Sequence, residues 1–204
     1  MAEIIGLSGP QGGGKSTLLN GLISDGIVVD DFKVSRAVQE RLGWQSLERV
    51  LDSVETMKMF QQTILDVKYD HEIENLKRKD AEFILVERTF ADIASYTQLW
   101  SWELVHEHKW SVGAAMKFCI PFIEECAHSQ HVYSANLFLP YMPHIKWQND
   151  PHRAAQKHTT FIHEQLVSFF GSKNTSGIPV FEITESGVDE RVTQVKKFLE
   201  TLYA

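Results

Sequence analysis

The stretch Gly9-Pro-Gln-Gly-Gly-Gly14-Lys15-Ser16-Thr17 decides how the rest of the chain is interpreted. It matches the pattern G-x-x-x-x-G-K-[ST], which forms a phosphate-binding loop when it joins a strand to a helix. The flanking sequence meets that condition. The apolar run Ile4-Ile5-Gly6-Leu7 predicts a buried strand before the loop, and residues 16–23 predict a helix after it. The stretch is therefore predicted to bind a nucleoside triphosphate, and residues 9–17 are called the P-loop below.

The residue types of the P-loop have separate functions in this prediction. Glycines allow successive backbone N–H groups to point into one concavity, where no side chain blocks a phosphate. The positive end of the following helix dipole faces the same place. Lys15 supplies a charge for the β- and γ-phosphates, and the Ser16 hydroxyl can be a ligand of Mg²⁺. The residues predicted to bind ATP are Gly9, Gln11, Gly12, Gly13, Gly14, Lys15, Ser16 and Thr17.

Composition and charge narrow the class of protein. A chain of 204 residues that is 43% hydrophobic can bury one substantial core, so a single domain over residues 1–204 is expected. The net charge of −7 gives no general basic field for nucleic acid. No apolar run approaches the roughly 20 residues of a membrane helix, and the chain leads straight into a strand, so neither a membrane span nor a signal peptide is expected. Cys119 and Cys126 are expected to be buried free thiols, which predicts a reducing, cytoplasmic location.

Two adjacent carboxylates follow the second predicted strand, Ile27-Val28-Val29. Asp30 and Asp31 stand at its C-terminal end, where ligands bind in an open α/β sheet, so at least one is expected to be functional. Asp31 has an alternative role as the N-cap of a helix predicted from Phe32 to Leu42. The residues of this segment that are predicted to contact substrate are Asp31, Lys33 and Arg36.

A long amphipathic helix is predicted next. Ser46 is its expected N-cap, with Glu48 in the first turn, where a carboxylate suits the helix dipole. Apolar residues then recur at helical spacing and lead into a charged segment from His71 to Lys79. These apolar positions, which are assigned to the core, are Leu47, Val50, Leu51, Val54, Met57, Phe60 and Ile64.

The run Phe83-Ile-Leu-Val-Glu87 predicts a third buried strand that ends in an acid. Four apolar residues followed by a carboxylate resemble a Walker B strand, whose acid holds Mg²⁺ directly or through water. Ser16 and Glu87 are therefore the predicted metal ligands. Arg88 follows at once, on the side of the sheet where phosphate is expected, and a guanidinium there can bind phosphate with two hydrogen bonds. The alternative is a buried strand that ends in a surface Glu-Arg pair.

The second half of the chain predicts more helices and two strands. Residues 91–130 are aromatic-rich and predict a helical insertion of one or two helices, whose aromatic side chains belong to the core or stack on a base. Strands are predicted at 132–139 and 180–183, and a closing helix at 188–202. A lid-like segment is expected at about 145–158, where Arg153 could close over the transferred phosphate as an arginine finger supplied by the same chain. Lys146 and Arg153 could also form a basic cleft with the positive charges that follow the second strand.

These features together resemble the nucleoside and nucleotide kinase branch of P-loop proteins. The chain is especially similar to small bacterial and phage kinases grouped with the nicotinamide-riboside kinase-like AAA ATPases. Glu87-Arg88-Thr89 resembles the [DE]-R-[ST] motif of deoxynucleoside and thymidylate kinases. The resemblance implies that Glu87 assists Mg²⁺ and that Arg88 contacts the transferred phosphate. It also implies that Asp30 or Asp31 contacts the acceptor, as a general base.

The predicted fold is α/β: a three-layer P-loop NTPase sandwich with a five-stranded, mostly parallel sheet and helices on both faces. The predicted function is an ATP- and Mg²⁺-dependent phosphotransferase acting on a nucleoside or nucleotide. One alternative is a phage kinase, in host cytoplasm, that phosphorylates 5-hydroxymethyluracil in DNA; another is an NTPase switch or assembly ATPase. The predicted catalytic residues are Lys15, Asp30, Asp31, Arg88 and Arg153. A homodimer is compatible with the sequence, which does not determine the oligomeric state.

Overall fold

The computed structural model describes residues 2–141, 157–172 and 177–202. Five strands alternate with seven α-helices within these residues. The strands are β1 (Glu3–Ser8), β2 (Val29–Asp30), β3 (Phe83–Glu87), β4 (Ala135–Phe138) and β5 (Val180–Glu182). The helices are α1 (Lys15–Ser24), α2 (Val34–Arg41), α3 (Val54–Leu76), α4 (Phe90–His106), α5 (Val112–Ser129), α6 (Lys157–Ser172) and α7 (Val188–Leu202).

The strands form one sheet in the order β2-β3-β1-β4-β5, and every pair of neighbours is parallel. Because all strands run in the same direction, their carboxyl ends meet at one edge. The P-loop leaves the central strand β1 there, between the ends of β3 and β4. This arrangement confirms the predicted α/β fold and the predicted five strands.

Apolar side chains on both faces of the sheet hold the three layers together. On one face, Ile5 and Leu7 of β1 pack in a cluster with residues of α1 and α7, among them Leu18 and Val195. On the other face, Ile4 and its neighbours pack in a larger cluster with α3, α4 and α6. The strands of a parallel sheet that is covered on both faces are continuous runs of apolar residues, and β1 and β3 have this pattern.

The predicted starts of two helices are wrong. Ser46 accepts a hydrogen bond from the Glu48 N–H, but it caps a short 3-10 helix, Leu47–Leu51. Ser53 caps the long helix by accepting from the Thr56 N–H, so α3 begins at Val54. Asp31 is not an N-cap, because α2 begins after Lys33 and has no side-chain cap.

Residues 91–130 contain two helices, nearly all of α4 and the whole of α5, joined by a turn at 107–111. Trp100 and Phe122 are buried, and Trp110 and Phe118 pack against the same core. Trp102 is more than half exposed. The aromatic residues of this region therefore mainly serve the core.

Two further observations concern thiols and membranes. Cys126 is buried and Cys119 is half-buried, and both are free thiols. Among the residues that the structure describes, no helix is both long enough and apolar enough to cross a membrane.

The predicted lid-like segment at 145–158 falls almost entirely outside the described residues, as do Lys146 and Arg153.

Candidate active site

The P-loop is shaped by close backbone packing after β1. A Cβ atom on Gly9 would lie 2.5 Å from the carbonyl oxygen of Leu139, so any larger residue would force the loop away from the end of β4. Gly14 has a φ of 90° and occupies the N-cap position of α1, a conformation that glycine adopts without strain. The glycine pattern that identified the loop is therefore required by both contact and conformation.

Lys15 is the buried charge at the centre of the P-loop, with 5% of its surface exposed. Its ammonium donates hydrogen bonds to the carbonyl oxygens of Gly9 (2.6 Å) and Pro10 (2.9 Å). Burial, and then the positive charge of nearby Arg88, lower the pKa of Lys15 from 10.5 to about 7. Ser16 and Thr17, in the first turn of α1, have exposed side chains that can be reached by a ligand.

This lowered pKa predicts proton uptake when a triphosphate binds. Phosphates favour the charged ammonium, so Lys15, largely neutral above pH 7 before binding, should take up about one proton at pH 8 and almost none at pH 6. Nucleotide affinity should accordingly decline as the pH rises above 7. Calorimetric titration with ATP in two buffers of different ionisation enthalpy measures this uptake. Lys15→Arg is the control because its guanidinium stays charged; equal uptake by that variant would contradict the assignment to Lys15.

Glu87, at the end of β3, is buried and surrounded by cations. Its side chain is ion-paired with Lys33. Burial would raise the pKa of Glu87, but the charges of Lys15, Arg88 and Lys33 outweigh it and lower the pKa to about 2. Glu87 is therefore an anion at every physiological pH, as a metal ligand or phosphate-site acid requires.

Arg88 is held in place by three contacts. Its Nη1 donates to Asp92 Oδ1 (2.7 Å) and to the carbonyl oxygen of Gly9 (3.1 Å), and its guanidinium lies 5.3 Å from the centre of the Tyr96 ring. Its φ of 68° is uncommon for a residue other than glycine and costs of order 1 kcal/mol or more. The backbone turn aims the guanidinium back under the P-loop.

Asp92 fixes both Arg88 and the start of α4. One of its oxygens accepts from Arg88, and the other accepts the Thr89 N–H (3.0 Å) as part of a capping box. Thr89 in turn shares a hydrogen bond of 2.6 Å with Ser8 of β1. Asp92 was not among the predicted site residues, although the spacing T-x-x-D is a capping-box signal that identifies it.

The structure separates the two adjacent acids, which the sequence analysis could not do. Asp31 is ion-paired with Lys33, and Lys33 is in turn paired with Glu87, so these three side chains form one cluster. Asp30 points to the other side of β2, where its Oδ2 contacts His71 and Asn75 of α3. Of the remaining predicted substrate residues, Arg36 lies exposed on α2 without an ion pair to any described residue.

Arg191 of α7 is a site residue that the sequence analysis missed. It is only 3% exposed, and it donates from Nε to the Glu185 carbonyl (2.8 Å) and from Nη1 to the Gly13 carbonyl (3.3 Å). A Cβ atom on Gly14 would lie 2.9 Å from Nη1. Arg191 therefore ties the loop before α7 to the P-loop, across a separation of 178 residues that no local pattern reveals.

Replacing Arg191 should weaken nucleotide binding more than it slows the chemical step. Loss of a hydrogen-bonded charge costs about 1.5 kcal/mol, so Arg191→Met should raise KM for ATP about tenfold. The kcat should change little, because this contact is made equally in the ground state and the transition state. Steady-state kinetics measures both quantities, and Lys196→Met, an exposed change on the same helix, is the control. A fall in kcat at constant KM would contradict this role.

Comparison with solved structures shows what this arrangement is similar to. A deoxyadenosine kinase from M. mycoides with products dCMP and dCDP aligns with a TM-score of 0.65 and 14% identity, covering 97% of this chain and 99% of that one. A NadR protein in complex with NR aligns with a TM-score of 0.70 and 12% identity, covering all of this chain and 52% of that one. A thymidylate kinase from Candida albicans aligns with a TM-score of 0.58 and 13% identity, covering 98% and 92% of the two chains. At such low identities, these similarities establish the fold alone.

Sequence comparison gives the family. No curated protein shows a significant sequence match. A family model described as an AAA domain matches residues 4–191, which include the P-loop and all strand residues except Glu3. The chain therefore belongs to this AAA domain family and has the fold of the P-loop nucleoside and nucleotide kinases.

Proposed function

We propose that the protein is an ATP-dependent kinase that transfers the γ-phosphoryl group to a nucleoside or nucleotide. The observation that carries the proposal is one cluster at the carboxyl ends of β1, β2 and β3. The cluster consists of Lys15, the Glu87-Arg88 pair and the Asp31-Lys33 pair. The charges of these side chains shift one another's pKa values. Phosphoryl transfer depends on positioning and on electrostatic stabilisation, and this cluster supplies groups for both.

The residues present fit ATP and Mg²⁺. The P-loop has the glycine conformations and the buried Lys15 of a phosphate cradle, while Ser16 and Glu87 supply the hard oxygen ligands that Mg²⁺ prefers. When bound, Mg²⁺ would neutralise charge on the β- and γ-phosphates. Lys15 would bind those phosphates, and Arg88 would balance charge that develops on the transferred group.

Asp31 is the better candidate for the group that orients or deprotonates the acceptor hydroxyl. It shares Lys33 with Glu87, and its side chain, which is 55% exposed, can be reached by an acceptor. Burial and the neighbouring Glu87 carboxylate raise the pKa of Asp31 despite its hydrogen bond with Lys33. A raised pKa makes a carboxylate a stronger base. Arg153 lies outside the described residues, and its role in closing over the phosphate stays a prediction.

A nucleoside or nucleotide is the proposed acceptor class because the similar structures named above include a deoxyadenosine kinase and a thymidylate kinase. The net charge of −7 also favours a small acceptor over a nucleic acid polymer.

Transfer of labelled γ-phosphate from ATP in the presence of Mg²⁺ tests the proposal. The acceptors are pooled nucleosides, nucleoside monophosphates, nicotinamide riboside, and DNA with and without 5-hydroxymethyluracil. Label on a small nucleoside or nucleotide is the expected result. Label retained only in the modified DNA would show that the acceptor is a DNA base and not a free nucleoside or nucleotide. Label found only in free phosphate would show that the protein is an NTPase and not a kinase.

A further inference from the structure

Helix α3 carries a polar face that is buried against the sheet. Lys68, His71, Glu72 and Asn75 follow one another at spacings of three, one and three residues, which places them on the same side of the helix. Lys68 is 1% exposed, Glu72 is fully buried and Asn75 is 4% exposed. The segment from His71 to Lys79 was predicted to be charged, but Glu72 and Asn75 of this segment are buried. Charged side chains are rarely buried so completely unless they are paired.

Every charged or polar group of this face has a partner. Lys68 Nζ lies 2.5 Å from Glu72 Oε1. Asn75 Nδ2 donates to Glu72 Oε2 (3.2 Å), and the buried Tyr133 hydroxyl donates to Glu72 Oε1 (3.3 Å). The hydrogen-bonding side chains of this network are therefore paired within the protein, and the network does not require a bound ligand.

The network reaches the ends of two strands that bear the candidate acids. Lys68 Nζ donates to the backbone carbonyl of Glu87 (3.3 Å), at the end of β3. At the end of β2, Asp30 Oδ2 accepts from Asn75 Nδ2 (2.6 Å) and lies 2.5 Å from His71 Nε2. The same helix face thus holds one strand by its backbone and the other by a side chain.

Strand β2 has little backbone pairing with the sheet. It is an edge strand of two residues, and only Val29 and Asp30 pair with β3. The segment that follows brings Asp31 and Lys33 towards Glu87, and it has no further sheet pairing before α2 begins at Val34. Backbone hydrogen bonds of the sheet alone therefore leave the position of Asp31 relative to Glu87 weakly determined.

We propose that the polar face of α3 positions Asp31 against Glu87, and that Asp30 is its anchor on β2, a positioning residue that does not act as the base. The inference rests on the proposed kinase function for its kinetic consequences. A misplacement of about 1 Å in a catalytic group can cost about 100-fold in rate, so loss of the anchor should lower kcat strongly.

Two substitutions of Asp30 distinguish an anchor from a base. Both donors bond to the same oxygen, Oδ2, so Asp30→Asn retains an acceptor for His71 and Asn75 while removing the basic carboxylate. Asp30→Ala removes the acceptor itself. An anchor predicts that Asp30→Asn keeps kcat within about threefold and leaves the acidic limb of the pH profile in place, whereas Asp30→Ala loses about 100-fold in kcat at unchanged KM for ATP. Near-complete loss of kcat in Asp30→Asn would overturn the proposal.

A double variant tests the contribution of the α3 side chains and is designed to leave the fold intact. The double variant Lys68→Met with Glu72→Gln removes the buried ion pair. Its amide oxygen can still accept from Asn75 while its amide nitrogen donates to the Tyr133 hydroxyl, and replacements of a buried ion pair are often neutral for stability. Its kcat should fall at least tenfold while the melting temperature stays near that of the parent. Asp70→Ala removes an exposed carboxylate of α3 and is the matched control for Asp30→Ala. Unchanged kcat in the double variant would contradict the proposal.

Hydrogen exchange gives a readout that does not depend on catalysis. Backbone amides of residues 29–33 should exchange about tenfold faster in Asp30→Ala and Asn75→Ala than in the parent or Asp30→Asn. If the parent transfers no phosphate to any acceptor, the proposed function fails, yet this exchange pattern still tests the anchor. Equal exchange in all four proteins would refute the anchor even if the kinase activity is found.

Discussion

Lys15→Ala is expected to abolish phosphoryl transfer and to leave the fold intact. The buried amino group of Lys15 contacts the P-loop carbonyls and lies near Glu87, and in the proposed mechanism it is charged when it binds the β- and γ-phosphates. Removal of one preorganised charged donor costs about 10²- to 10³-fold in kcat, and the loss of phosphate binding adds to this in kcat/KM. We therefore expect kcat/KM for ATP to fall at least about 10³-fold.

Steady-state phosphate transfer measures this loss, and circular dichroism with thermal melting checks the fold. Lys117→Ala is the matched control because Lys117 is exposed on α5, away from the P-loop. A folded Lys15→Ala protein with parental activity would exclude the kinase proposal, because no other described lysine contacts the P-loop carbonyls.

Arg88→Met is expected to have the second largest effect, a loss of about 10³-fold in kcat, the lower end of the range for arginines that stabilise a transferring phosphoryl group. The guanidinium is already held by Asp92 and the Gly9 carbonyl, so it needs little reorganisation during the reaction. Arg88→Lys should recover only part of the loss, because one ammonium cannot reproduce the planar geometry of these contacts. KM for ATP should change less than kcat in both variants.

The controls for Arg88 separate catalysis from stability. Arg88→Met leaves the buried Asp92 carboxylate without its ion pair, which destabilises a protein by several kcal/mol. The double variant Arg88→Met with Asp92→Asn removes that charge and should restore the melting temperature without restoring kcat. Arg78→Met, which breaks an exposed pair with Asp80, is the surface control. Recovery of kcat in the double variant would show that Arg88 serves stability alone.

Parts of the fold that rest on short, contiguous patterns were predicted well. The apolar runs before Ser8 and Glu87 become β1 and β3, and the closing helix has the predicted limits, Val188–Leu202. Errors occur where two local signals compete. Ser46 and Ser53 are both good N-caps, and only the packing of the chain decided that the first begins a 3-10 turn and the second begins α3.

The sequence by itself determined the P-loop, because its glycines, Lys15 and Ser16 form one contiguous pattern between an apolar strand and a helix. It also determined the order of strands and helices, because apolar periodicity records which faces are buried. The tertiary structure alone decided that Asp31 and Glu87 share Lys33, that Asp30 belongs to α3, and that Arg191 reaches Gly13. These contacts join residues from distant parts of the chain, or depend on which side of a strand a side chain takes. Both follow from packing, which no short stretch of sequence specifies.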